Sequence, residues 1–216
     1  MYKIFLLLIL SNLTFAQKKQ TLVLPDLYKK GQLQVVNREI KSVTENGKNF
    51  IQLADNKEEG LIWLPLNDFK NGKITIRMRG KDVFQRSFIG IAFHGLNDST
   101  YDAVYCRPFN FFAKDSVRKI HAIQYISHPQ FTWKKFRDER NGVFEKEIIN
   151  PPNPNDWFSM TIVVDKKSVK AFINQDPKPS LTVDRLTQRS MGKLGIFMGD
   201  GSGGDFERIT IESKYK

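Results

Sequence analysis

Cysteine is nearly absent from this chain of 216 residues: Cys106 is the only one. No intramolecular disulfide can form, so the fold must be held by its core. Long apolar runs are missing too. The leading one, Ile4–Leu10, falls short of the roughly 20 residues that cross a bilayer even when extended to Leu13, so no membrane insertion is expected. No long segment carries a helical period with caps at both ends, and there are no internal repeats or low-complexity stretches. Histidine is scarce, with His94, His121 and His128 at spacings that match no compact zinc motif.

Acidic residues are outnumbered, and the formal net charge is +11. The cations, among them Lys18, Lys19, Lys29, Lys30, Lys134, Lys135, Lys166 and Lys167, are scattered through turns and strand edges. Nucleic-acid binding needs basic side chains gathered on one face and is not expected here. Long-range steering of anionic partners such as acidic glycans is compatible with the excess.

The first sixteen residues combine an early Lys3, a short apolar run and small residues at Thr14 and Ala16. They read as a secretory signal peptide, which predicts an exported protein, periplasmic or extracellular. Residues 17–32 are then an N-terminal extension or a first strand, and 33–216 form one domain.

Short alternating runs bounded by Gly, Asn, Asp or Pro recur along that domain: Leu33–Ile40, Phe50–Leu53, Leu61–Leu64, Lys73–Arg79, Phe88–His94, Tyr101–Arg107, His121–Ser127, a run around Trp133–Arg137, Phe158–Val164, Ser168–Ile173, Leu194–Met198 and Phe206–Glu212. Strands at this spacing predict an all-β sandwich or barrel. A helical turn is expected near Pro65–Lys70, and Asn46-Gly47 and Asn71-Gly72 read as turns.

The most informative run is Tyr101–Arg107. Tyr101, Ala103, Tyr105 and Arg107 share one parity; Asp102, Val104 and Cys106 share the other. Alternate strand residues point to opposite faces, so one face carries two phenols and a guanidinium. Such a face suits polyhydroxylated ligands, whereas Cys106 falls on the apolar side as an inert buried thiol.

The last third adds an ordered set of motifs. Asn155-Asp156-Trp157 precedes a strand, and Asn174-Gln175 closes the next. Gly192-Lys193-Leu194-Gly195 introduces the penultimate strand before Gly204-Asp205-Phe206. This arrangement resembles the concanavalin A-like lectin/glucanase superfamily, which includes laminin-G-like domains, family 16 glycoside hydrolases and 3-keto-disaccharide hydrolase-like domains. Asn174-Gln175 departs from the usual Asn-Gly. The resemblance implies a two-sheet antiparallel jelly-roll sandwich that binds a saccharide or polysaccharide across its concave sheet. On that sheet Tyr101, Tyr105, Arg107, Gln124, Tyr125 and Trp133 are the ligand-binding candidates. It also implies an alternative, an enzyme of the same fold acting as a glycoside hydrolase or keto-sugar hydrolase, and a third reading is a surface or assembly protein.

The Glu-x-Asp-x-Glu triplet of family 16 hydrolases is absent; Glu145 and Glu147 are followed by Ile149. Catalytic candidates are therefore His94 and His121 as proton shuttles, with Asp102 and Glu145 as carboxylates. Such domains often carry a structural calcium, and Asp205 resembles one of its ligands. The glycines of Gly199–Gly204 match a dinucleotide fingerprint, but a strand rather than a helix follows them.

Overall fold

The computed structural model describes residues 18–213; the signal peptide expected over residues 1–16 lies outside them. Fifteen strands occur in chain order: β1 Lys18–Val23, β2 Gln34–Val36, β3 Ile40–Glu45, β4 Lys48–Leu53, β5 Gly60–Trp63, β6 Gly72–Arg79, β7 Ile89–Asn97, β8 Thr100–Cys106, β9 Ile123–Ser127, β10 Glu145–Lys146, β11 Phe158–Val164, β12 Ser168–Ile173, β13 Leu181–Asp184, β14 Lys193–Met198 and β15 Gly204–Ser213. Three short α-helices accompany them, α1 Leu24–Lys29, α2 Ser116–Lys119 and α3 Trp133–Glu139, with one 3-10 turn at Pro108–Asn110.

The strands form two antiparallel sheets. The front sheet runs β10-β9-β8-β7-β14-β5-β2, and the back sheet runs β13-β12-β11-β6-β15-β4-β3, with β1 also paired to β15. This is the two-sheet sandwich the alternation predicts. The mechanism is plain in β6, where Ile74, Ile76 and Met78 are fully buried and the residues between them are not. Their partners in β11 and β15 include Ile162, Met160, Ile209 and Ile211. Each such side chain contributes about 1.5–3 kcal/mol on burial. The front sheet supplies the opposing layer, and Cys106 Sγ lies 3.7 Å from Met160 Sδ across the interface. Burial pushes the Cys106 thiol well above its ordinary pKa, in keeping with an unreactive group.

Several local expectations are corrected. Leu33–Ile40 is not one strand: β2 belongs to the front sheet and β3 to the back, and residues 37–39 cross between the layers with Asn37 at φ 52°. Pro65–Lys70 forms no helical turn and contributes an isolated bridge, Phe69 to Gly192. Trp133–Arg137 is helical, not extended. Thr132 caps that helix, its hydroxyl accepting from Lys135 N at 3.3 Å, and Lys134 pairs with Asp138 one turn on. Asn46-Gly47 joins β3 to β4 with both residues at positive φ (49° and 74°), between the paired Glu45 and Lys48. That is the two-residue hairpin this dipeptide favours. Asn71-Gly72 instead leads into β6.

The layer crossing is held by Arg38, which is 7 % exposed. Its guanidinium donates to four backbone carbonyls: Asn37 (2.5 Å), Ser202 (3.0 Å), Glu58 (2.9 Å) and Gly199 (2.8 Å). Burial lowers its pKa, against the opposing charges of Asp200, Asp55 and Glu59. The side chain ties the crossing to two loops that wall the site described next.

Candidate functional site

The strands β7, β8 and β9 are consecutive neighbours in the front sheet. Register places Tyr105 opposite Gly90 on one side and Gln124 on the other, while Gln124 in turn faces Glu145 of β10. A Cβ on Gly90 would collide with the Val104 carbonyl oxygen and stand 2.7 Å from the Cβ of Tyr105, so glycine lets the backbone of β8 lie this close. The outer face of the front sheet therefore carries Tyr101, Tyr105, Arg107, Gln124, Glu145 and Phe197.

Nearly all of this face is covered. Tyr101, Tyr105, Phe197, Gln124 and Glu145 are each at most 2 % exposed. What remains open is a cavity of about 1010 Å³. Tyr105, Arg107 and Phe197 reach it from the sheet. Loops carrying Glu58, Glu59 and Asp200 bound one part, Phe84 and Phe88 before β7 with Phe109 after β8 bound another, and His121, Trp133 and Arg137 complete the wall.

A tight network fixes the floor. Tyr105 OH donates to Gln124 Oε1 at 2.6 Å. Arg107 donates to the Tyr105 oxygen at 2.9 Å, to Gln124 Oε1, and to the His121 carbonyl at 2.7 Å. Its Nη1 also lies 3.3 Å from Glu145 Oε2. Glu145 Oε2 in turn lies 2.6 Å from His121 Nδ1 and 3.9 Å from Arg137 Nη2. The Arg107 guanidinium rests near the faces of Tyr105 (5.0 Å) and Phe88 (5.6 Å). Burial pushes the Tyr105 phenol up to about 12, although the Arg107 charge works against it. Tyr105 therefore stays protonated as a hydrogen-bond donor at neutral pH.

A second cluster closes the other part of the wall. Tyr101 OH donates to Glu59 Oε2 at 2.6 Å, and His128 Nε2 lies 3.3 Å from Glu59 Oε1. The Tyr101 and His128 rings stack 5.0 Å apart. Burial alone would raise the Glu59 pKa, but His128, Tyr101 and Arg38 outweigh it and hold the carboxyl below its usual range.

The sequence candidates thus divide. Tyr105, Arg107, Trp133 and His121 line the cavity; Gln124 and Glu145 stand directly behind them, and Tyr101 lies under Glu59. Tyr125 does not belong to this face. It pairs with Val104 and stacks on Phe93 at 6.1 Å, on the inner side of the sheet. His94 and Asp102 are likewise on the inner side, both fully buried, with Nδ1 and Oδ2 3.4 Å apart. Arg189 donates to Asp102 at 2.8 Å, and His94 Nε2 lies 2.6 Å from the Lys70 carbonyl. They form a structural polar cluster away from the cavity. Trp63 is buried, its indole donating to Asp98 at 2.7 Å, and Trp157 packs edge-on against Phe50.

Asp205 does not fit calcium. Arg79 donates to Oδ2 from Nε at 2.8 Å, Gln52 donates to Oδ1 at 2.9 Å, and Arg79 Nη2 lies 2.7 Å from Oδ2. A cation that needs six to eight oxygens finds both oxygens of this carboxylate already engaged. Among the described residues, no group of three or more His, Cys, Asp or Glu is arranged to hold a metal. No helix among them is long and apolar enough to cross a membrane.

Glu58, Glu59, Phe84, Phe109, Arg118 and Arg137 are cavity residues that strand parity does not reveal, since all come from loops or helices. Only Arg137 carried a signal, lying four residues after Trp133 in a segment with an N-cap threonine.

The His121 imidazole is held below its ordinary 6.5, chiefly by burial, with Arg137 and Arg107 adding to this and Glu145 opposing it. The unfolded chain therefore takes up this proton more readily than the folded one. Its effect on stability is nil above pH 6.5 and grows unfavourable as pH falls below that value. Urea melts between pH 8 and pH 5 are expected to show that loss, reduced in His121→Gln. An identical pH profile in the variant would contradict the assignment.

Neither the sequence models of known protein families nor the sequences of curated proteins match this chain. Solved structures do. A protein of unknown function with a galectin-like fold from Bacillus subtilis superposes with a TM-score of 0.59 at 11 % identity, covering 91 % of this chain and 98 % of the other. The carbohydrate-binding module CBM66 from Bacillus subtilis gives 0.57 at 12 % identity, over 84 % and 96 %. The exoplasmic/lumenal domain of VIP36, in a form bound to Ca2+ and Man3GlcNAc, gives 0.55 at 11 % identity, over 88 % and 86 %. What these structures share with the chain is its fold, the concanavalin A-like β-sandwich.

Proposed function

We propose that this protein is an exported carbohydrate-binding domain that holds a saccharide in the cavity on the outer face of its front sheet. The observation that carries the reading is the composition of that cavity. Aromatic rings offer apolar faces, and the interlocked Tyr105, Gln124 and Arg107 hold polar groups in fixed directions beside them. Sugars present the same mixture of C–H faces and hydroxyl edges, and pockets with a few convergent polar groups among apolar walls are the usual form of small-ligand sites. Two of the structural likenesses, a carbohydrate-binding module and a domain bound to Man3GlcNAc, support a saccharide in general terms. A glycan array probed with the purified protein is expected to give saccharide hits that Tyr105→Ala abolishes. An array with no hit among neutral and acidic glycans would overturn the reading.

A second reading, hydrolysis, is favoured by one observation: His121 and Glu145 lie 2.6 Å apart at the cavity wall, as a proton acceptor and its carboxylate partner would. It predicts release of reducing sugar from a polysaccharide panel, lost in Glu145→Gln. Wild-type protein that binds glycans but releases none leaves binding as the whole activity.

A further inference from the structure

Helix α3 brings Trp133 and Arg137 one turn apart on the same side, and both line the cavity. Trp133 is 47 % exposed, so part of its indole is open to solvent. Facing the cavity beside them is His121, which is 4 % exposed. Its Nδ1 is against Glu145, and its Nε2 is buried with no partner; Arg137 Nε is buried and unpartnered as well. Behind them, Gln124 Nε2 and Glu145 Oε1 are also buried without partners. Open hydrogen-bonding valences of this kind are costly when buried and left unmade. Two of them, His121 Nε2 and Arg137 Nε, belong to residues that line the cavity and mark a place built to be completed by something else.

The balance of the valences says what that is. On the wall itself Arg137 Nε can only donate, and His121 Nε2 accepts when the Glu145 contact keeps the proton on Nδ1. A carboxylate or sulfate offers acceptors alone. It would leave His121 Nε2 unmatched and would place its charge on the side of Glu145. A pair of neighbouring hydroxyls, each both donor and acceptor, matches the set, and the exposed Trp133 ring supplies the face on which a pyranose or furanose stacks.

We infer that Trp133, Arg137 and His121, with Glu145 and Gln124 behind, form a subsite for one neutral sugar residue, which is stacked on Trp133 and recognised through a vicinal diol. The basic surplus of the chain does not select the ligand at this subsite. The inference rests on the saccharide-binding reading and narrows it from saccharides in general to uncharged ones engaged at α3.

The test is calorimetric titration of the full chain with the strongest neutral and the strongest uronate-bearing hits from a glycan array, repeated for Trp133→Ala, Arg137→Met and His121→Phe. The neutral ligand is expected to bind the wild type more tightly and to weaken by about tenfold or more in each variant, the loss of one good hydrogen bond or stacking contact. Trp133→Ala and Arg137→Met alter partly exposed side chains, so they keep the test decisive even where His121→Phe fails to fold. Neutral binding that stays within about twofold in both α3 variants overturns the subsite but leaves saccharide binding standing. Preference for the uronate ligand overturns the neutral assignment. An absence of any glycan binding by the wild type overturns the wider reading itself.

Discussion

Arg38→Ala is expected to lower stability by about 3–5 kcal/mol, because four carbonyls lose the guanidinium together, those of Glu58 and Ser202 have no other side-chain donor among the described residues, and a buried unmet carbonyl costs about 1–3 kcal/mol. In a chain of this length that corresponds to a fall of roughly 10 °C in the melting midpoint. The size of the effect comes from what Arg38 joins. Asn37 is in the crossing between sheets, Glu58 is in the loop before β5, and Gly199 and Ser202 follow β14. Arg38→Lys is expected to recover little, since an ammonium is a point donor and the four carbonyls are met by a planar fork. Glu58 and Gly199 also line the cavity, so ligand affinity should drop in Arg38→Ala even under conditions where it stays folded. A melting midpoint within about 2 °C of wild type would show that the loops are held by something else.

Arg107→Met should be comparably severe and should act at the cavity floor. The substitution keeps an unbranched apolar stem but strips donors from Tyr105, Gln124, the His121 carbonyl and Glu145. It leaves a carboxylate at 1 % exposure with only His121 and the more distant Arg137 beside it. Unpairing a buried charge in this way costs about 3–5 kcal/mol. Adding Glu145→Gln removes the stranded charge, so the double variant should be more stable than Arg107→Met alone by about 1–2 kcal/mol, a coupling that a double-mutant cycle in urea reads directly. Saccharide affinity, by contrast, should stay low in the double variant, because Tyr105 and Gln124 still lack the guanidinium that orders them. A cycle with coupling below about 0.5 kcal/mol would mean that Arg107 and Glu145 act independently.

The parity of Tyr101–Arg107 was enough to predict two opposite faces of one strand, and the structure keeps them: Cys106 meets Met160 inside, Tyr105 and Arg107 meet the cavity outside. Alternation is a local property, fixed by backbone geometry alone, so it survives whatever the rest of the chain does. Tyr125 shows the limit. Its neighbour Gln124 is the residue paired with Tyr105, and a shift of one position sends a side chain through the sheet; only the register of β8 with β9 decides between them. Helix α3 shows another limit. Phe131 and Trp133 flank Thr132 as alternating strand residues would, and the capping threonine at 132 with the Lys134–Asp138 spacing is a weaker signal than that short alternation. Arg38 was invisible for a third reason. Its partners lie up to 164 positions away, and no pattern within a window of sequence reports a bond to a distant carbonyl.

The pairing of β1 with β15 has a use in handling the protein. Lys18 stands opposite Ser213 in antiparallel register, so the two ends of the described chain emerge side by side from the back sheet, in the layer behind the one that carries the cavity. A tag or surface anchor fused at either end would present the cavity outward and unobstructed. A short linker could also join the ends, permitting new termini to be opened at an exposed turn such as Asn46-Gly47 without disturbing the groove.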